Sequence, residues 1–427
     1  MAGCVLAAEL AKAPCLSIEL FERSERLGGL HHSVVIGEST YDIGPFFFDE
    51  DHQVFSSFPG LIDHFVTASI KQVSITDGGK LDLYPLSVRG YLANHGFFHF
   101  AAAMLSIAFS KFRDRHRSDL PSFIRYYIGD LVYKRSGLQA YIQRLYSLRD
   151  DEVDLIFAEQ RMGDLRKRAS IRALLRNAFG FKKNLGLLHS ANAFARPSGG
   201  FLEAYGYIER HLQNQGVAIR TGVKIDKIER AENKFITHRN GERAEFDVVI
   251  STVPIPVIGR LLSTPITHQF ETVTLLSLFY RCQGEALKEV AVLYNFCTDG
   301  NWKRITNFSN IYGKAHEDTK FTVEIPVRSK HIDLEAQRLC FEEHFAKLNL
   351  SLENLSFQGS YTTAGAYPVF RAKDISAIAV DIATIDASGV RTCGRQGRFE
   401  YLTSKQVAKS AASTAEELIS KLSKALV

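Results

Sequence analysis

The chain has 427 residues, 45% of them hydrophobic and 23% charged, with a formal net charge of +5. At ~150 residues per domain this length allows two or three domains, and the ordinary globular composition excludes disorder, collagen-like repeats and acidic tails as descriptions of the whole. So small a charge gives no argument for a nucleic-acid partner. The six cysteines, at positions 4, 15, 282, 297, 340 and 393, form no CxxC pair and no zinc spacing. A reduced, cytoplasmic protein without a metal site is the reading that follows.

Residues 2–12 are rich in helix formers, Pro14 ends that helix, and residues 16–21 alternate as a strand. The opening is apolar enough to suggest a secretion signal, but it lacks a basic start, and Glu9 and Lys12 interrupt the run. A signal peptide is therefore disfavoured. Glu22 sits just past the strand, Gly28-Gly29 follow at once, and a second extended stretch leads to Tyr41-Asp42-Ile43-Gly44-Pro45.

Residues 80–190 read as mostly helical. Within them, residues 91–109 have an uncharged core near the lower length limit for a membrane span, with His95 and His99 inside it. A buried helix is favoured there over a membrane-surface contact. Arg196-Pro197-Ser198-Gly199-Gly200 makes a turn, residues 201–215 a helix, and Gly216 its stop. Strands follow at 217–221, 223–228 and 246–251, with a hairpin at Asn240-Gly241. Residues 273–281, 291–296 and 320–325 read as strands of a separate sheet, and 334–348 as a helix. The chain closes with a strand at 389–392, a glycine turn at 394–397 and a helix from about 404 to 422.

A helix, then a strand ending in an acid, is the second half of a dinucleotide-binding βαβ unit: the acid accepts from a ribose hydroxyl and a glycine turn lets the pyrophosphate approach. Glu22 lies 19 residues after Gly3, close to the usual spacing of about 20. Gly3 would then be the last glycine of GxGxxG, where a side chain would clash between helix and strand. The first two glycines and the strand before them are not in the sequence, and the expectation is that unpaired strand edges weaken cofactor binding.

Six segments in order resemble the FAD-dependent amine oxidase and protoporphyrinogen oxidase superfamily, which also contains UDP-galactopyranose mutase. FERSERLGGL (21–30) is similar to its signature after the second strand, YDIGPF (41–46) to its segment near the flavin, and ARPSGGF (195–201) to its Pro-x-Gly-Gly turn. GVAIRTGVKIDKI (216–228) resembles the strand pair beside the adenine, FDVVISTVP (246–254) the strand that follows, and TCGRQGRFEYLTSKQVAKSA (392–411) the C-terminal flavin motif. The resemblance implies FAD as cofactor, with Gly3, Glu22, Arg23, Gly28, Gly29, Leu30, Gly44, Pro45, Val223, Gly394, Arg395, Phe399 and Tyr401 around it.

It also implies an α/β protein: a doubly wound, Rossmann-like FAD-binding domain from residues 1–78, 195–256 and 358–427, and a mixed helical and β-sheet substrate domain from 79–194 and 257–357. Segments 136–162, 301–309 and 364–370 resemble parts of the same superfamily, which places Arg161, Trp302, Arg304 and Tyr367 on the substrate side. The implied function is an FAD-dependent oxidoreductase taking hydride from an organic substrate to flavin N5. One alternative is a mutase-like sugar-nucleotide isomerase, with arginines holding a diphosphate, although the mutases have Gly-Pro-His where this chain has Gly44-Pro45-Phe46. Another is an FAD-family protein impaired by truncation. The partner read is a small molecule, anionic or a nucleotide sugar among the options. Phe46-Phe47-Phe48 serves equally as a pocket wall or as core. Arg161, Arg166, Arg168, Arg172 and Arg176 form a basic run, and the last three share a helical face, read as solvated in preference to an anion site. His31-His32 reads as a turn element, and no acid–base residue is assigned.

Overall fold

The computed structural model describes residues 1–77, 79, 81–84, 88–161, 193–284, 287, 289–312, 318–329, 331–348, 350 and 353–425. The face of Arg168, Arg172 and Arg176, with Arg166, lies outside the described residues.

The opening helix Ala2–Leu10 has small, apolar side chains on every side, and nearly all of them are buried. It packs against the helices Ser404–Ala425 and Phe201–Asn214, so the two ends and the middle of the chain share one core. A Cβ on Gly3 would come 3.2 Å from Leu20 Cδ1, which is how closely the helix crosses the first strand.

That strand, Glu19–Phe21, pairs in parallel with Ala218–Arg220. A second parallel pair joins Ile250–Ser251 to Arg391–Thr392. The two pairs are separate two-stranded sheets, flanked by helices as parallel strands require. Beside them stands a three-stranded antiparallel sheet, Lys227–Ala231, Lys234–Arg239 and Glu242–Phe246. Asn240 and Gly241 both have positive φ, 46° and 81°, the geometry a two-residue hairpin selects.

The larger sheet has seven strands, in the spatial order Glu353–Pro368, Thr272–Gln283, Thr319–Val327, Arg304–Asn307, Val292–Asn295, Gln72–Ile75 and Leu81–Leu83. Gln72–Ile75 comes from the stretch read as the first FAD segment, and Glu353–Pro368 runs across the expected boundary at 357. Alternation sorts the side chains. Leu276, Leu278, Phe321, Val323 and Ile305 face the helix Leu334–Lys347, whose Phe341 and Phe345 complete that core. Arg304, Glu324 and Tyr294 point the other way, into a cleft. Among the described residues the helical block contains Val88–Arg113, Leu120–Ile128, Asp130–Arg135, Leu138–Tyr146 and Ile156–Arg161.

Three expectations need correction. The strand expected at 223–228 starts only at Lys227, because the chain from Val223 first turns on Glu22. The strand expected at 246–251 divides, its first residue ending the hairpin and its last two joining the parallel pair. The helix at 91–109 is buried on one face only: among the described side chains Ala103 and Ile107 are buried, whereas Phe97, Phe98, Leu105 and Phe109 are exposed. Among the described residues no helix is long and apolar enough to cross a membrane.

Candidate active site

A cleft of about 800 Å³ runs between the parallel strand pairs and the large sheet. Gly3, Glu22, Gly28, Gly29, Leu30, Gly44 and Pro45 line it from the N-terminal segment. Gly394, Arg395 and Tyr401 line it from the C-terminal one, and Arg304 and Tyr367 from the sheet.

Other expected residues lie elsewhere. Arg23 is exposed beside Glu22, and Val223 meets that end only through its backbone N–H, which donates to the Glu22 carbonyl at 3.0 Å. Phe399 is buried against Phe270 and Phe370. Trp302 is fully buried on the far face of the sheet, where its indole N–H donates to His344 Nδ1 at 2.9 Å. Its size and apolarity suit that core, not the substrate side. Arg161 closes the helix Ile156–Arg161.

At one end of the cleft the Glu22 carboxylate accepts the Ser24 N–H at 2.8 Å through one oxygen. Opposite, Gly394 has φ 79°, and a Cβ there would stand 2.8 Å from Ala2 Cβ. A side chain at 394 would therefore both strain the backbone and force the opening helix away.

At the other end the sheet presents a cross-strand row. Tyr294, Arg304 and Glu324 are directly opposite one another on three adjacent strands. Arg304 Nε and Nη2 donate to the two Glu324 oxygens at 2.6 and 2.7 Å, a bidentate pair with the carboxylate fully buried. Lys303 Nζ reaches the same carboxylate at 3.3 Å and donates to the Tyr367 hydroxyl at 2.7 Å. Burial alone would raise the Glu324 pKa, but Arg304 and Lys303 outweigh it and hold the group below the ordinary glutamate value. Gly44 abuts this carboxylate, so a Cβ there would lie 3.3 Å from Glu324 Oε1.

Aromatic rings surround the row. Tyr84 stacks on Tyr294 at 4.1 Å between centroids, and Tyr141, Phe46 and Phe47 line the same end. Phe48 instead joins the core with Phe55 and Phe65, so the phenylalanine run divides between wall and core. The Arg395 guanidinium lies 4.9 Å from the rings of both Tyr367 and Tyr401 and donates to the Ala366 carbonyl. His31 also lines the cleft, stacked on Phe201 and 2.9 Å from the Tyr205 hydroxyl. Burial pushes its pKa well below the usual histidine value, so it is neutral near pH 7.

The segment ending in Gly44 is anchored from two sides. Arg196 Nε donates to Asp42 Oδ1 at 2.7 Å, with both side chains almost completely buried. Thr322 and Ser277 of the sheet donate to the Asp42 and Ile43 carbonyls. Two motifs recognised separately in the sequence, YDIG and ARPSGG, are thus one buried unit.

Sequence reasoning missed Lys303, Glu324, Tyr84, Tyr141 and Tyr294. One signal was available: Glu324 is the single acid in the apolar strand TKFTVEIPV, and a buried acid needs a cation. Among the described residues no group of three or more His, Cys, Asp or Glu side chains could hold a metal ion.

A model of the family described as flavin containing amine oxidoreductase matches residues 1–295. The chain belongs to this family. Its fold is the Rossmann-like FAD-binding fold with a second, mixed domain, as three solved structures agree. A reduced UDP-galactopyranose mutase aligns with TM-score 0.75 at 16% identity, covering 98% of this chain and 93% of that one. A protein named as a protoporphyrinogen oxidase, from Exiguobacterium sp. 255-15, aligns with TM-score 0.71 at 16% identity over 97% and 96% of the two chains. A putrescine oxidase bound to putrescine aligns with TM-score 0.61 at 13% identity over 98% and 97%. No curated protein matches by sequence. This amine oxidoreductase family member is a flavin-dependent enzyme, and its cofactor is FAD. The cleft fits that cofactor. The wall between Glu22 and Arg395 includes Gly3, Gly28, Gly29 and Gly394; a Cβ at three of them would press on Leu20, Tyr205 or Ala2 and so push the lining segments apart, and an acceptor carboxylate stands at the end of the wall.

Proposed function

We propose that the protein is an oxidoreductase that removes hydride from an organic substrate held at the aromatic end of the cleft. The supporting observation is that Arg304, the arginine read from sequence as a clamp for an anionic leaving group, already gives two N–H donors to Glu324. The surface around it is mainly aromatic, with Lys303, Glu324 and Gln72 as its polar groups, which suits a largely apolar substrate and a dry reaction.

In this reading Glu22 accepts a hydrogen bond from the ribose, and the glycine wall admits the pyrophosphate without side-chain obstruction. FAD supplies the hydride acceptor. Tyr84, Tyr294, Phe46 and Phe47 exclude water from the reacting centre. Lys303, fixed between Glu324 and the Tyr367 hydroxyl, holds a proton at the sheet side of the cleft. Arg395 fixes Tyr367 and Tyr401 by lying against both rings.

Anaerobic titration of the FAD-loaded protein with candidate donors, amines and other oxidisable small molecules, tests the proposal. It predicts bleaching of the flavin band by a donor. A flavin silent to every donor, yet active on a sugar nucleotide after dithionite reduction, would instead establish the isomerase reading. Purified protein without flavin, and unable to take up added FAD, would support the impaired-protein reading.

A further inference from the structure

The second half of the helix Val88–Arg113 exposes an unusually apolar face. The helix breaks at Gly96, whose φ of 76° and ψ of 170° are not helical. Beyond that break one stripe, Phe98, Ala102, Leu105, Phe109 and Phe112, recurs at helical spacing and faces outward. Phe98 is 87% exposed, Leu105 73%, Phe109 63% and Phe112 86%, with Phe97 at 69% beside them. The opposite stripe, Ala103, Ile107, Ser110 and Asp114, faces the protein, and apart from Ile107 it is small or polar. Ser106 Oγ accepts the Leu131 N–H, Ser110 Oγ accepts the Asp130 N–H, and Asp114 pairs with Arg113 and Arg125. Phe97, Phe98, Phe109 and Phe112 are thus outside, and the serine hydroxyls inside. A contiguous exposed stripe of this kind marks an interaction surface.

Charge says which partner fits. From Phe97 to Arg117 the cations are Lys111, Arg113, Arg115 and Arg117, and the sole acid is the buried, paired Asp114. The cations cluster at the C-terminal end of the stripe, among aromatic rings. Arg113 lies over Phe109, and Lys111 and Arg117 both lie over Tyr126. Apolar rings flanked by cations and tyrosines are the pattern of a helix lying in a lipid–water interface. We infer that this helix docks the protein on an anionic membrane surface, with Phe98, Leu105, Phe109 and Phe112 entering the acyl boundary and Arg115 and Arg117 at the headgroups. The protein sits on the bilayer without spanning it.

Flotation of the full-length protein with vesicles tests this, using pure phosphatidylcholine and equimolar phosphatidylcholine–phosphatidylglycerol. Binding to the anionic vesicles is expected, falling as salt rises from about 0.1 M to about 1 M. The variant Phe98→Ser/Leu105→Ser/Phe109→Ser/Phe112→Ser should lose about tenfold or more in vesicle affinity while keeping its flavin spectrum. A second variant, Arg115→Glu/Arg117→Glu, should lose the preference for anionic vesicles. Failure of the native protein to float with anionic vesicles would overturn the inference, as would equal binding by the four-serine variant. So would sedimentation showing a native dimer that this variant converts to monomer, since the stripe would then face a second copy.

Discussion

Glu22 and Arg395 face one cleft, although the first follows the earliest strand of the chain and the second follows the last. Two parallel strand pairs and a shared helical core make that convergence. If the Glu22 carboxylate holds the ribose, Glu22→Gln removes a charged acceptor worth about 1.5–3 kcal/mol, or roughly 10- to 100-fold in Kd for FAD. Flavin fluorescence titration of the two proteins measures it.

Lys303 is placed to hold a proton and is buried beside the Tyr367 phenol. Lys303→Met should leave the flavin bound and lower kcat by about 10²- to 10⁴-fold, the usual share of a positioned proton-transfer group. Stopped-flow rates of flavin reduction, alongside the absorption spectrum, separate the two effects.

Arg304 and Glu324 are a structural pair as well as part of the cleft wall. Arg304→Met leaves the fully buried carboxylate with Lys303 and the Tyr367 hydroxyl and should cost about 3–5 kcal/mol. The folded Glu324 pKa is depressed, so the unfolded chain takes up the proton first on acidification. Its stabilisation is complete above the ordinary glutamate range and is lost as pH falls below about 4.5 toward the folded value. Urea midpoints across that window should fall for the native protein and fall less steeply for Glu324→Gln.

His31 has the same sign for a different reason. Burial depresses its folded pKa, so below about 6.5 the unfolded chain binds a proton that folded His31 refuses. Stability should decline as pH drops from about 7 to 5.5. His31→Phe, which keeps the stacking on Phe201, should flatten the decline. His52, which burial pushes down to about 4, and His32 and His344, which burial also lowers, would retain the remainder.

The legible parts of the site were those set by local backbone geometry. The glycines at 28, 29 and 394 and the acid after the first strand stand in short segments that are visible in the sequence, and the structure places all of them on the cleft, although the residues that crowd Gly28 and Gly394, Tyr205 and Ala2, come from distant segments. Arg304 lines the cleft, but its pairing was not legible, because its partner, Glu324, is supplied by strand register and not by spacing in the chain. Trp302 and Arg304 are two residues apart on a strand approach, yet they serve opposite faces of the sheet. The helix at 91–109 was read as buried because it is apolar. Apolarity sets a preference for leaving water, and says nothing about whether protein or another phase provides the cover.

The most direct measurement of the central claim is the stoichiometry and affinity of FAD for the native protein and for Glu22→Gln and Gly394→Val, determined by calorimetry under identical conditions. One FAD per chain, with both variants weakened although their substitutions lie at opposite ends of the sequence, is the predicted result. Absence of FAD binding, or variants that bind as the native protein does, would contradict a single site built from both termini.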